Sequence, residues 1–159
     1  MLVKVIAIAA IGYGLFYYYQ AQQNPWQIDA PVYAEFRVDM KAAGQTLNAV
    51  LIGKSVDQND CEQRAQKVWR ETLEGCAACT FKSAECKTDI GSRYEKLFDN
   101  RSTYTSYVSF NRGSRFERDG RMIVWGLNDK DSRTFCELMK SYMRKGYSGE
   151  VRCVFGRGI

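Results

Sequence analysis

The sequence predicts an α+β protein in which one apolar N-terminal helix precedes a disulfide-stabilised domain of two ββαβ units. Three observations carry this prediction: an apolar run at the N-terminus, alternating apolar and polar residues typical of strands, and six cysteines. The order strand, turn, strand, helix, strand occurs in residues 32–87 and again in residues 104–156. We expect the strands to form an antiparallel or mixed sheet packed by helices.

Residues 2–19 form the apolar run, which contains a single charged side chain, Lys4. As a helix this run would be about 27 Å long, close to the hydrocarbon thickness of a bilayer. No Lys or Arg follows until Arg37, so the positive-inside rule places the N-terminus in the cytoplasm and the rest outside it. A cleaved signal peptide is the alternative, but residues 17–20 make a poor cleavage site. We therefore predict a single-pass anchor over residues 1–19 in the inner membrane.

The domain organisation follows from the composition along the chain. A polar linker over residues 20–31 leads into one periplasmic domain over residues 32–159. Within it, the pseudo-repeats cover residues 32–87 and 104–156, and a short connector helix is expected over residues 90–100.

The first unit opens with a predicted hairpin. Apolar and polar residues alternate along residues 32–40, which is the period of a half-buried strand. A turn at Gly44 precedes the continuous apolar run of residues 47–53, which indicates a central strand. A helix carrying Cys61 and a short strand carrying Cys86 complete the unit.

Capping residues predict where the helices begin and end. Ser55 with Gln58, and Ser92 with Glu95, have the spacing of a capping box. Gly75 is expected to end the first helix, because glycine adopts the left-handed conformation that often follows a helix.

The second unit follows the same order, with an extended run, a turn over residues 112–120 and a second extended run. A helix carrying Cys136 and a last strand carrying Cys153 complete it. The apolar face of its helix is expected to comprise Phe135, Leu138, Met139, Tyr142 and Met143.

The cysteines are expected to form disulfides, because an even count suits an oxidising compartment such as the periplasm. If the two units correspond, each helix is tied to the strand that follows it, and the remaining two cysteines pair with each other. The predicted pairs are Cys61 with Cys86, Cys136 with Cys153, and Cys76 with Cys79.

Two alternatives remain for the cysteines. Cys76 and Cys79 form a CxxC motif, which in a redox protein would normally open a helix, because the helix dipole there lowers the thiol pKa. Here the motif follows a helix, where the dipole has the opposite effect. The second alternative is a zinc site made by Cys61, Cys76, Cys79 and Cys86, although its first spacing is longer than usual.

Four arginines recur every third residue across the second turn, and they are candidates for binding. They are Arg112, Arg115, Arg118 and Arg121. If they project together from the tip, they would present a basic surface to an acidic partner. The alternative is a solvated turn partly neutralised by Glu117 and Asp119.

The absence of histidine excludes Ser-His-Asp and Cys-His catalysis and every His-ligated metal site. A net charge of +5 is too modest to favour nucleic-acid binding. We therefore predict a non-enzymatic, membrane-anchored accessory or adaptor protein of the bacterial cell envelope, without metal or cofactor, whose partner is another envelope protein. A membrane-anchored thiol–disulfide protein and a periplasmic inhibitor or immunity-type protein are the alternatives.

Overall fold

A computed structural model describes residues 27–42 and 44–156. They form one six-stranded antiparallel sheet in the order β3-β1-β2-β5-β4-β6, which confirms the α+β class and shows that the sheet is not mixed. The strands are β1 Val32–Ala42, β2 Gln45–Ser55, β3 Cys79–Lys87, β4 Tyr107–Asn111, β5 Gly120–Trp125 and β6 Glu150–Val154. The predicted anchor lies outside the described residues, and no helix within them is long and apolar enough to cross a bilayer.

Three helices accompany the sheet. They are α1 Gln58–Val68, which continues into the π-turn Trp69–Leu73, α2 Ser92–Glu95 and α3 Asp129–Met143. The connector helix is therefore much shorter than the predicted residues 90–100, because turns follow Glu95.

Neither predicted capping box forms. Asp57, not Ser55, caps α1 by accepting a hydrogen bond from the backbone N–H of Asp60. Gly91 takes the N-cap position of α2 with φ of 74°, a conformation that favours glycine, so Ser92 lies inside the helix. Several short Asp, Asn or Ser side chains near a helix start are able to cap it, and sequence spacing alone did not identify the residue at the cap.

The two units have the same internal arrangement. In the first, β1 lies between β2 and β3, and in the second, β4 lies between β5 and β6. The units join through β2 and β5, which pair from Asn48 with Trp125 to Gly53 with Gly120. The six strands thus share one sheet with β3 and β6 at its edges.

The sheet has two covered faces. Helix α1 packs on β1, β2 and β3, and helix α3 packs on β4 and β6, so both helices lie on one face. The segment between the units covers the opposite face, where Ile90, Tyr94 and Leu97 pack on the central strands. We call residues 88–106 the connector and this opposite face the connector face.

Strand β1 is consequently buried on both sides near its start, whereas the alternation predicted a half-buried strand. Tyr33 and Glu35 face the connector, and Glu35 is only 3% exposed. The buried Glu35 carboxylate is compensated by Arg37 at 2.7 Å and Lys87 at 3.5 Å. Such pairing offsets the cost of removing a carboxylate from water.

Helix α3 packs on the core with part of the face that was predicted. Cys136 is buried, and Phe135, Met139 and Met143 pack around it. Leu138 and Tyr142 are 64% and 67% exposed. Three of the five predicted core residues of α3 are therefore confirmed, and Leu138 and Tyr142 are not.

The three disulfides join the pairs that the correspondence of the two units predicts. Cys61 bonds to Cys86 and Cys136 to Cys153, with Cα–Cα distances of 6.1 and 5.9 Å. Each bond fastens the helix of one unit to its last strand. Cys76 bonds to Cys79, the first residue of β3.

Candidate binding site

The four arginines of the second turn do not form one exposed cluster, which corrects the prediction from their spacing. Arg121 is only 1% exposed and lies under the connector. Its guanidinium donates hydrogen bonds to the carbonyl oxygens of Leu97 at 2.7 Å and Phe98 at 3.1 Å, and to that of Phe110 at 3.0 Å. Burial lowers the pKa of Arg121. This side chain therefore fastens the connector to the sheet and cannot reach a partner.

Arg118 and Arg112 are also engaged within the domain. Arg118 forms a 2.7 Å ion pair with Asp60 of α1, and both side chains are 15% exposed. Burial alone would raise the pKa of Asp60, but hydrogen bonds from Arg118 and Arg64 outweigh burial and hold that pKa below its usual value. Arg112 lies 3.7 Å from Asp119. The pair of Arg118 with Asp60 fixes the turn against the first unit, whereas the pair of Arg112 with Asp119 lies within the turn.

Glu117 fastens the other side of the turn. Its carboxylate accepts hydrogen bonds from the backbone N–H groups of Gly113 and Ser148, at 2.8 and 2.6 Å. Burial would raise the pKa of Glu117, but these backbone hydrogen bonds hold it below its usual value. The backbones approach so closely that a Cβ on Gly113 would lie 2.5 Å from the Ser148 carbonyl oxygen. We call residues 112–119 the bridging loop, because it contacts both units.

The exposed part of the bridging loop is small. Phe116 is 71% exposed, and the Arg115 guanidinium lies 4.7 Å from the centre of its ring. The backbone carbonyl of Phe116 accepts a 2.9 Å hydrogen bond from Arg64, which anchors the chain directly beneath the ring. Arg115 and Phe116, which we call the loop apex, are thus held on a rigid support.

A concave surface that is larger than the loop apex lies on the connector face. It is a groove of about 280 Å³ between α2, the second half of the connector and strands β4 and β5. We call it the aromatic groove, and its polar and aromatic lining includes Arg93, Lys96, Tyr104, Tyr107 and Trp125.

The aromatic groove carries positive charge at its rim. The Arg93 guanidinium lies 5.9 Å from the ring centres of both Tyr94 and Trp125. Within the part of the chain that the structure describes, neither Arg93 nor Lys96 forms an ion pair. Exposed cations beside aromatic rings, with no internal carboxylate partner, are suited to an acidic or aromatic ligand.

Protein-family models, curated proteins and solved structures yield no match to this chain. What the domain does must therefore be inferred from its own surfaces.

The cysteines are all oxidised in the structure, which bears on the alternative zinc site and not on redox use of Cys76 and Cys79. All six form disulfides, so the four that would make a zinc site are not free thiolates. Among the described residues no group of three His, Cys, Asp or Glu side chains is placed to hold a metal. The Cys76–Cys79 bond lies after the π-turn, at the end of a helical segment, as the sequence indicated.

The aromatic groove was not predicted from the sequence. The sequence predicts Trp125 at the end of a strand and Tyr104 at the start of one. In the structure Tyr104 precedes β4 and is 87% exposed. The sequence contained one signal of the groove: Arg93 and Lys96 are basic residues within the predicted connector helix. Only the fold of the connector over the sheet brings these four side chains together.

Proposed function

We propose that this protein is a non-enzymatic adaptor of the bacterial cell envelope, anchored in the inner membrane by residues 2–19. Its disulfide-braced domain lies in the periplasm and binds another envelope protein. The apolar run, the charge placement around Lys4 and the disulfides all support this location.

The aromatic groove is the main structural support for a binding function. Trp, Tyr and Arg are the residues that most often dominate the energy of protein interfaces, and the groove combines all three. The described residues that line it include no carboxylate, histidine or cysteine, which favours binding over catalysis. The four arginines of the second turn support it less well, because three of them are engaged within the domain.

The charge and shape of the groove define its partner. Arg93 and Lys96 favour an acidic segment, and Tyr107, Ile123 and Trp125 provide an apolar floor. The partner we propose is therefore a protein segment with one or two apolar side chains flanked by Asp or Glu. Rim charges of this kind steer association and make it sensitive to salt.

Photo-crosslinking tests this proposal in native membranes. A p-benzoylphenylalanine residue in place of Tyr104 should capture a discrete protein partner, and the double variant Arg93→Glu, Lys96→Glu should reduce that yield strongly. Both charged side chains are exposed and neither forms an ion pair among the described residues, so their reversal should leave the fold intact. Added salt should also lower the yield.

The matched control places the same crosslinker at Leu138, which is exposed on the other face of the sheet. The proposal fails if the charge-reversed variant captures the same protein with unchanged yield. It also fails if position 138 captures that protein as efficiently as position 104.

A further inference from the structure

The domain has two distinct ends along its strands. Val32, the first residue of β1, is in register with Ser55, the last residue of β2. Where the two units join, Gly53 of β2 pairs with Gly120, the first residue of β5. The chain therefore enters the sheet at the same end where the bridging loop joins β5. We call this the entry end.

The aromatic groove lies toward the opposite end. Trp125 is in register with Asn48, and Asn48 with Asp39, seven residues along β1 from its start. Tyr104 precedes β4, whose first residue Tyr107 pairs with the last residue of β6. The loop apex and the groove are thus at different ends and on different parts of the domain.

The entry end is also where the proposed membrane anchor must attach, because residues 1–31 all precede β1. The linker over residues 20–31 spans at most about 40 Å when fully extended. Such a linker keeps the domain near the bilayer, and its length alone does not set the orientation of the domain. A second contact at the entry end would fix that orientation.

The chemistry of the loop apex fits the interface of a bilayer. Aromatic rings prefer the headgroup level of a bilayer, and Arg is attracted to anionic lipid there. The loop apex presents both groups, because its exposed ring lies beside a cation. Arg115 forms no ion pair among the described residues, whereas Arg118 is neutralised by Asp60. Val56 is also exposed at this end, in the turn that leads into α1.

The small size of the loop apex favours lipid over protein as its binding partner. A specific protein interface requires a contiguous surface of roughly 800 Å² on each partner. The apex offers one ring and one guanidinium, and the neighbouring charged side chains are already occupied by Asp60, Asp119 and Ser148. A single anchored ring with one cation is sufficient for a supplementary contact with headgroups.

We propose that Phe116 and Arg115 of the bridging loop seat in the headgroup region of the anchoring bilayer and orient the aromatic groove away from it. The bridging loop is held on one side by Asp60 and on the other by Ser148, so this contact is transmitted to the whole domain. The inference rests on the membrane anchoring proposed above.

Reconstitution of the full chain tests the contact without any protein partner. The chain is placed in vesicles of phosphatidylethanolamine and phosphatidylglycerol, with p-benzoylphenylalanine in place of Phe116. Irradiation should give a phospholipid adduct at position 116. The same substitution at Tyr104, an aromatic residue that is more exposed than Phe116 and lies toward the opposite end, should give only background.

A charge variant identifies which lipids are recognised. Arg115→Gln should lower the adduct yield by up to about fivefold in these anionic vesicles, the equivalent of about 1 kcal/mol per basic residue. It should leave the yield unchanged in vesicles of phosphatidylcholine alone. An Arg115→Gln effect of the same size in both vesicles would contradict recognition of anionic lipid.

The possible failures are distinguishable. If the chain does not float with the vesicles, the proposed anchor is wrong. If it floats but gives no lipid adduct at position 116, or equal adducts at 116 and 104, the orientation proposal is wrong and the anchor stands. A protein adduct at position 116 in native membranes would also overturn it, in favour of a protein contact at the loop.

Discussion

Replacing Arg121 with methionine should lower the free energy of unfolding by about 3 kcal/mol or more. Methionine is apolar and of similar length, but it donates no hydrogen bond. The change would leave the carbonyl oxygens of Leu97, Phe98 and Phe110 without their guanidinium partner in a buried space. It would also remove the contact of the guanidinium with the Phe98 ring, which lies 4.6 Å away. The connector should then separate from the sheet.

Denaturant unfolding of the full chain in detergent measures this loss. Arg121→Lys should be destabilised less, because it keeps a charged donor but cannot reach all of the carbonyls. Arg115→Met, at the exposed loop apex, should stay within about 0.5 kcal/mol of the unmodified protein. If Arg121→Met is no less stable than Arg115→Met, Arg121 does not hold the connector in place.

Removing the Cys61–Cys86 disulfide should cost about 3.5 kcal/mol in the chain-entropy model, the largest loss of the three. This bond closes 25 residues of chain, against 17 for Cys136–Cys153 and 3 for Cys76–Cys79. The same model gives about 3 and about 1.6 kcal/mol for the second and third bonds. Cys61 is also fully buried, so its replacement affects the packing of α1 on β1 and β3.

Three double Cys→Ala variants, one for each disulfide, make the comparison under a single set of conditions. The expected order of destabilisation follows the lengths of the closed loops. An outcome in which loss of Cys76–Cys79 is the most damaging would show that this bond has a structural role that loop closure does not explain.

The sequence predicted those parts of the fold that depend on local patterns. The alternation along β1, the order of elements in each unit and the cysteine positions are local features, and they led to the correct disulfide pairs. The correspondence between the units was decisive, because it linked each helix to its own last strand.

The predictions that were wrong concern features that depend on contacts between distant segments. A period of three in the second turn did not reveal that Arg121 is buried under the connector while Arg115 stays at the surface. Leu138 fits the helical period of the apolar residues in α3, yet it is 64% exposed. Burial of Glu35 required the connector to fold over β1, which no pattern near residue 35 encodes.

The central claim is that this domain is held at a membrane on its oxidising side. The most direct test is mass mapping of the chain from native membranes, with free thiols alkylated before lysis and peptides prepared without reductant. We predict the three disulfides in the pairs described here, no alkylated cysteine, and an intact peptide containing residues 2–19 in the membrane fraction. Alkylation of all six cysteines, or a mature N-terminus after residue 19, would contradict the claim.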